Sequence, residues 1–176
     1  MEMKLTLQPE DSGYCVPCAI KSILDFYGID VSLKDVIKGC GSSYTQGTDD
    51  EKAEEFLKSH GLIYAKIKFD FKSIHKSIKE KNPVAVAYMN DVNESHFSII
   101  KDCYKKRNIE YVLLNDSYFG DLELPLSLLK VLYKESGKFN NGNAWIRKII
   151  KKNQKKSLFD NNNMMRLSLR DIEETK

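Results

Sequence analysis

The tightest constraint on the fold is an order along the chain: segments with helical period come first, and β-type runs fill most of the second half. From Cys15 to Tyr27 the apolar residues Val16, Ile20, Ile23, Leu24 and Tyr27 step by four, three, one and three, which marks one face of a helix. Pro17 falls in its first turn, where a missing N–H costs nothing, and Gly28 ends it. Ser32 caps a second short helix running to about Lys38, and Asp49 to His60 forms a charged amphipathic third, closed by Gly61. Asp70 caps a fourth through about Glu80, with Phe71, Ile74 and Ile78 on one face.

Strand signals are separate from these. Leu62 to Phe69 alternates, and Pro83–Met89, His96–Tyr104 and Ile109–Asn115 are β-rich. Lys4 to Gln8 reads as a short lead-in strand or extended segment. Ser127 to Lys134 reads as a helix and Ala144 to Ile150 as a closing strand. Helices followed by strands, without βαβ alternation, predict an α+β fold: N-terminal helices packed on a mostly antiparallel sheet.

The chain has 176 residues, 41% of them hydrophobic, which suits one globular domain over residues 1–150. Beyond it, residues 151–176 form a basic, Asn-rich tail, expected to be partly flexible with one weak helix around Met165–Ile172. That tail holds seven Lys/Arg against four Asp/Glu, so the whole net charge of +3 lies in it and the body is neutral. A nucleic-acid partner is therefore not expected, because such a domain carries a basic face on its folded part. No run approaches the ~18 apolar residues of a membrane span, so direct membrane insertion is not expected either. The start, Met1-Glu2-Met3-Lys4-Leu5-Thr6, lacks the apolar stretch of a secretory signal.

Four cysteines without a signal peptide point to free thiols in a reducing, cytoplasmic setting. Only Cys15 and Cys18 are closely spaced, and Cys40 and Cys103 have no His beside them, so a structural zinc is not expected. A redox role for Cys15-Val16-Pro17-Cys18 lacks the preceding strand that such motifs use. Cys15 is the more informative residue. A thiol in the first turn of a helix meets the positive end of the helix dipole, which favours the nucleophilic thiolate. Among the three histidines, His60 ends a helix and His75 lies on a polar helix face. His96 opens a buried strand, where a base can face a cleft. One strand later, Asn115 or Asp116 could orient that imidazole. Cys, then His, then Asn/Asp is the papain-type order.

These residues resemble the C39 family of papain-like cysteine peptidases, known from the peptidase domains of bacteriocin-exporting ABC transporters. The resemblance runs over about residues 4–150: Gln8, then Tyr14-Cys15-Val16-Pro17-Cys18-Ala19, Phe26-Tyr27-Gly28, Gly47-Thr48-Asp49, Gly61-Leu62, His96-Phe97-Ser98-Ile99-Ile100 and Asp116-Ser117-Tyr118-Phe119-Gly120. It implies a papain-like fold with Cys15 as nucleophile, His96 as general base and then acid, Asp116 as the imidazole's orienter and Gln8 as an oxyanion-hole donor. It implies a peptide or protein substrate, such as a leader peptide cut after two glycines, a membrane transporter as partner, and no metal or organic cofactor.

Two positions depart from the family pattern. Val16 stands where Gly usually follows the nucleophile, and Gln8 lies seven residues before Cys15, so its loop must bulge. Cys18 reads as a core residue, with the role of reactive thiol as the alternative. Three other readings stay open: a catalytically silent peptide-binding module, acyl transfer to an amine, and redox chemistry between Cys15 and Cys18.

Overall fold

The computed structural model describes residues 1–89, 94–139 and 146–152. In chain order the elements are α1 (Cys15–Phe26), α2 (Leu33–Gly39), α3 (Asp50–Ser59), β1 (Leu62–Lys66), α4 (Phe71–Lys79), β2 (Val84–Met89), β3 (Ser95–Lys106), β4 (Ile109–Asp116), β5 (Gly120–Pro125), α5 (Leu126–Phe139) and β6 (Ile146–Lys151). The six strands form one sheet in the order β1-β6-β2-β3-β4-β5, with every neighbouring pair antiparallel. The α+β architecture expected from the sequence is the one observed.

The helix ends are set locally. Ser32 accepts the Asp35 N–H and Asp70 accepts the Ser73 N–H, each satisfying a first-turn donor. Asp49 does the same for Glu51 and Lys52. After α1 the chain reverses at Gly28, whose φ of +68° is a left-handed conformation open to glycine.

Alternation along the strands divides the core into two layers. Ala85, Ala87, Phe97 and Ile99 face α1, α2 and α3, where Ile20, Ile23 and Leu24 are fully buried. Burying each of those three side chains contributes roughly 1.5–3 kcal/mol. Val84, Val86, Tyr88 and Ile100 face the other way, against Ile74 and Ile78 of α4 and Leu126 and Leu129 of α5.

Several expectations are corrected. Of the two readings of Lys4 to Gln8, the strand is the one set aside: the Thr6 N–H goes to Ser22 Oγ and the Gln8 N–H to the Ser117 carbonyl. β1 stops at Lys66, short of Phe69. β5 was not anticipated, and α5 runs past Lys134 to Phe139. β6 continues through Lys151, with the Lys152 N–H on the Gly61 carbonyl. The helix expected near Met165–Ile172 lies outside the described residues.

Candidate active site

Cys15 is the first residue of α1, and Tyr14 before it supplies no side-chain cap. The amide dipoles of the first turn therefore present their positive end towards the thiol. Cys15 is half-buried, whereas Cys18, Cys40 and Cys103 are buried, and all four are free thiols.

His96 is the second residue of β3, directly across from Tyr88 on β2. Asp116 is the last residue of β4 and fully buried. The imidazole Nε2 lies 3.0 Å from both Asp116 carboxylate oxygens. That leaves Nδ1 as the ring nitrogen free of Asp116, and Cys15 is close enough to act on the imidazole's protonation. Burial disfavours the imidazolium, but hydrogen bonds to Asp116 and Cys15, with the negative charge of both partners, outweigh it and raise the His96 pKa to about 9.

A fully buried carboxylate is costly unless its lone pairs are satisfied. Asp116 meets that demand: the Tyr88 hydroxyl donates to Oδ2 at 2.7 Å, and the Tyr118 and Phe119 backbone N–H groups donate to Oδ1 at 2.9 Å each. Burial pushes its pKa up, yet the His96 bond and charge, with the Phe119 N–H and Tyr88 hydroxyl, bring it down to about 2. Aromatic edges close the site, with the Tyr88 and Phe119 rings T-shaped to His96 at centroid distances of 5.5 and 6.3 Å.

Gln8 lies on the extended segment before α1. Its Nε2 donates to the Ser12 carbonyl at 2.9 Å and its Oε1 accepts from Ser117 Oγ at 2.7 Å. The bulge demanded by its spacing from Cys15 is the turn at Pro9–Ser12, closed by the Ser12 N–H and hydroxyl on the Pro9 carbonyl. Val16 packs partly against the core below α1.

The other candidates fall elsewhere. Cys18 has no exposed surface, its thiol sits 3.7 Å from the Leu7 carbonyl, and burial, with the charge of Cys15, pushes its pKa up to about 12. Asn115 points to the opposite face of the sheet from Asp116 and donates to the Met3 carbonyl. His60 Nδ1 bonds the Phe56 carbonyl oxygen at 2.8 Å, and His75 stacks on Phe71. Among the described residues, no group of three or more His, Cys, Asp or Glu is arranged to hold a metal.

Tyr88 and Ser117 escaped the sequence reading. Finding Tyr88 requires the register of the β2–β3 hairpin, and nothing local marks Ser117. Exposed apolar residues rim the site: Leu7 beside Gln8, Tyr44 against Tyr14, and Tyr118 and Phe119 after Asp116.

Residues 3–134 match the Peptidase C39 family. This chain belongs to that family. Two solved structures show the same C39 fold. A double glycine motif protease from an AMS/PCAT transporter, in complex with the leader peptide, superposes with a TM-score of 0.57 at 19% identity, covering 85% of this chain and 90% of its own. The peptidase domain of Streptococcus ComA, a bi-functional ABC transporter involved in a quorum sensing pathway, gives a TM-score of 0.61 at 16% identity, covering 85% and 97%. No curated protein sequence matches the chain significantly. Among the described residues of this C39 member, no helix is long and apolar enough to cross a membrane.

Proposed function

We propose that this C39-family protein is an active cysteine peptidase in which Cys15, His96, Asp116 and Gln8 carry the chemistry. The observation that supports this most directly is the imidazole of His96, held through Nε2 by the buried Asp116 carboxylate and raised in pKa by both Asp116 and Cys15. The Cys15 thiolate attacks the scissile carbonyl carbon, and the carbonyl oxygen takes up the negative charge. The Cys15 backbone N–H and the second Gln8 amide hydrogen stabilise that oxyanion; one such donor contributes roughly 3–4 kcal/mol in the transition state. His96 gives its Nδ1 proton to the departing amine, leaving a thioester on Cys15. Water then attacks the thioester with His96 as base, releasing the acid and the thiol.

The substrate class we infer is a leader peptide cut after a double glycine, with a membrane transporter as partner and a cytoplasmic site of action. The family and the leader-bound relative support this choice. The direct test is to incubate the full chain with a peptide carrying a Gly-Gly leader and follow the fragments by mass spectrometry. Cleavage that Cys15→Ala abolishes is the expected result. No cleavage, together with Cys15 alkylating no faster than Cys40 or Cys103 and no change in His96→Ala, would leave a peptide-binding module instead.

A further inference from the structure

Gln8 is clamped at three points, two of them on one residue. Its backbone N–H donates to the Ser117 carbonyl at 2.9 Å, its Oε1 accepts from Ser117 Oγ at 2.7 Å, and its Nε2 donates to the Ser12 carbonyl at 2.9 Å. Ser117 is itself 3% exposed, so water competes little for its hydroxyl. A side-chain amide has two nearly isosteric orientations related by a 180° turn. Turning Gln8 over would set its oxygen against the Ser12 carbonyl, acceptor facing acceptor. The hydroxyl and that carbonyl together select the other orientation. In it one Nε2 hydrogen is spent on Ser12 and the second remains for another acceptor.

We propose that Ser117 is a positioning residue for the oxyanion donor: its hydroxyl latches the Gln8 amide so that an N–H is presented to the scissile carbonyl oxygen. This rests on the role given to Gln8 above. It also assigns two tasks to one turn. Oδ1 of Asp116 accepts the Tyr118 and Phe119 N–H groups while Ser117, between them, holds Gln8. The same four residues thus fix the acceptor behind the imidazole and the donor facing the substrate oxygen. A peptide substrate gains nothing from the latch until its carbonyl becomes tetrahedral, so its effect belongs to kcat.

The test compares Ser117→Ala, Gln8→Ala and the double variant on a Gly-Gly leader peptide. Three readouts are taken: kcat and KM, inhibition by a peptide aldehyde (whose hemithioacetal oxygen mimics the oxyanion), and the rate of Cys15 alkylation by iodoacetamide. Gln8→Ala should lower kcat by about 100-fold or more, the usual effect of losing an oxyanion donor. Ser117→Ala should lower kcat about tenfold with KM little changed, weaken the aldehyde by a similar factor, and leave alkylation at the wild-type rate. The double variant should be no slower than Gln8→Ala alone, because a latch without its bolt does nothing. Ser117→Thr should restore activity and Ser117→Val should not; the two share a shape and differ in the hydroxyl, which keeps the comparison open if alanine impairs folding.

If Gln8→Ala is slow but Ser117→Ala is not, or the two losses multiply in the double variant, the latch is overturned and the role of Gln8 stands. If Ser117→Ala slows alkylation as much as hydrolysis, its effect runs through Asp116 and His96 and the latch is again overturned. Full activity in Gln8→Ala overturns both assignments together.

Discussion

The Tyr88 hydroxyl donates to Asp116 Oδ2 at 2.7 Å, and His96 Nε2 lies 3.0 Å from that same oxygen. The phenol and the imidazole share one carboxylate at the end of the sheet, with Tyr88 standing directly across from His96 in the β2–β3 pairing. Removing the hydroxyl in Tyr88→Phe leaves part of a buried charge unsatisfied. Denaturant titration should show a loss of about 2 kcal/mol, the usual size for a hydrogen bond to a charged group. The undivided carboxylate charge then acts on the imidazole alone. The basic limb of the activity profile should move up in pH, with kcat reduced.

In the wild type, that basic limb should fall near pH 9, where His96 loses the proton it donates to the leaving amine. The same shift has a stability signature. A histidine whose pKa is raised from about 6.5 to about 9 contributes stability fully below pH 6.5 and loses it as pH climbs through 9. The stability difference between wild type and His96→Gln, measured in urea at pH 6, 7.5 and 9.5, should therefore shrink with rising pH. A constant difference would mean that the imidazole is not held charged.

Asp116 gives the opposite slope. Its pKa is lowered to about 2, so its contribution is present above about pH 4 and lost as pH falls towards 2. Asp116→Asn should be less stable than wild type at pH 6, with the gap closing in acid; thermal melts across pH 2–6 would show it.

Gly13 joins the loop before Cys15 to the loop after α2. A Cβ at Gly13 would lie 2.6 Å from the Gly47 backbone nitrogen and 2.7 Å from its Cα. Backbone cannot step aside as a side chain does, so Gly13→Ala should cost about 1–3 kcal/mol. It should also reduce activity by displacing Tyr14 and the start of α1. Gly28→Ala is the contrast: its Cβ meets nothing within 4 Å, and only the left-handed φ opposes it, at about 1–2 kcal/mol. That variant should keep wild-type kcat when both are assayed side by side.

Cysteine labelling separates Cys15 from the rest. Burial pushes the pKa of Cys18 and Cys40 up to about 12 and that of Cys103 to about 11. At pH 8 iodoacetamide should label Cys15 first, and Cys18→Ala should cleave substrate as wild type does. Faster labelling of Cys18 in a mass-spectrometric time course would reverse the assignment.

What the sequence discloses depends on how local the cause is. Ser32 and Asp70 could be read as caps because a cap needs only its own side chain and the next three residues. The inward face of α1 was legible from spacing alone. β5 was not: Asp121 and Glu123 alternate with Leu122 and Leu124 over a short edge segment, and only pairing with β4 makes it a strand. Lys4 to Gln8 alternates just as well, yet its N–H groups find Ser22 and Ser117 instead of a strand partner. The hairpin between β3 and β4 turns through Arg107 and Asn108, both with positive φ and neither a glycine, so its tip lacks the usual turn signal. At the site, residue type and strand-end position brought forward Cys15, His96 and either Asn115 or Asp116, and the choice of Asp116 came from the resemblance to the C39 family. Tyr88 and Ser117 act through register and turn geometry, which emerge only once the strands have paired.

The two halves of the site are carried by different layers. Cys15 and Gln8 come with the N-terminal segment and α1, whereas His96 and Asp116 come with the β3–β4 hairpin far downstream in the chain. Neither half has a functioning partner of its own. A chain whose N-terminal segment has come undocked therefore holds Cys15 apart from His96 and Asp116. On the function proposed above, hydrolysis depends on the completed tertiary structure, because no single segment carries both the thiol and the imidazole.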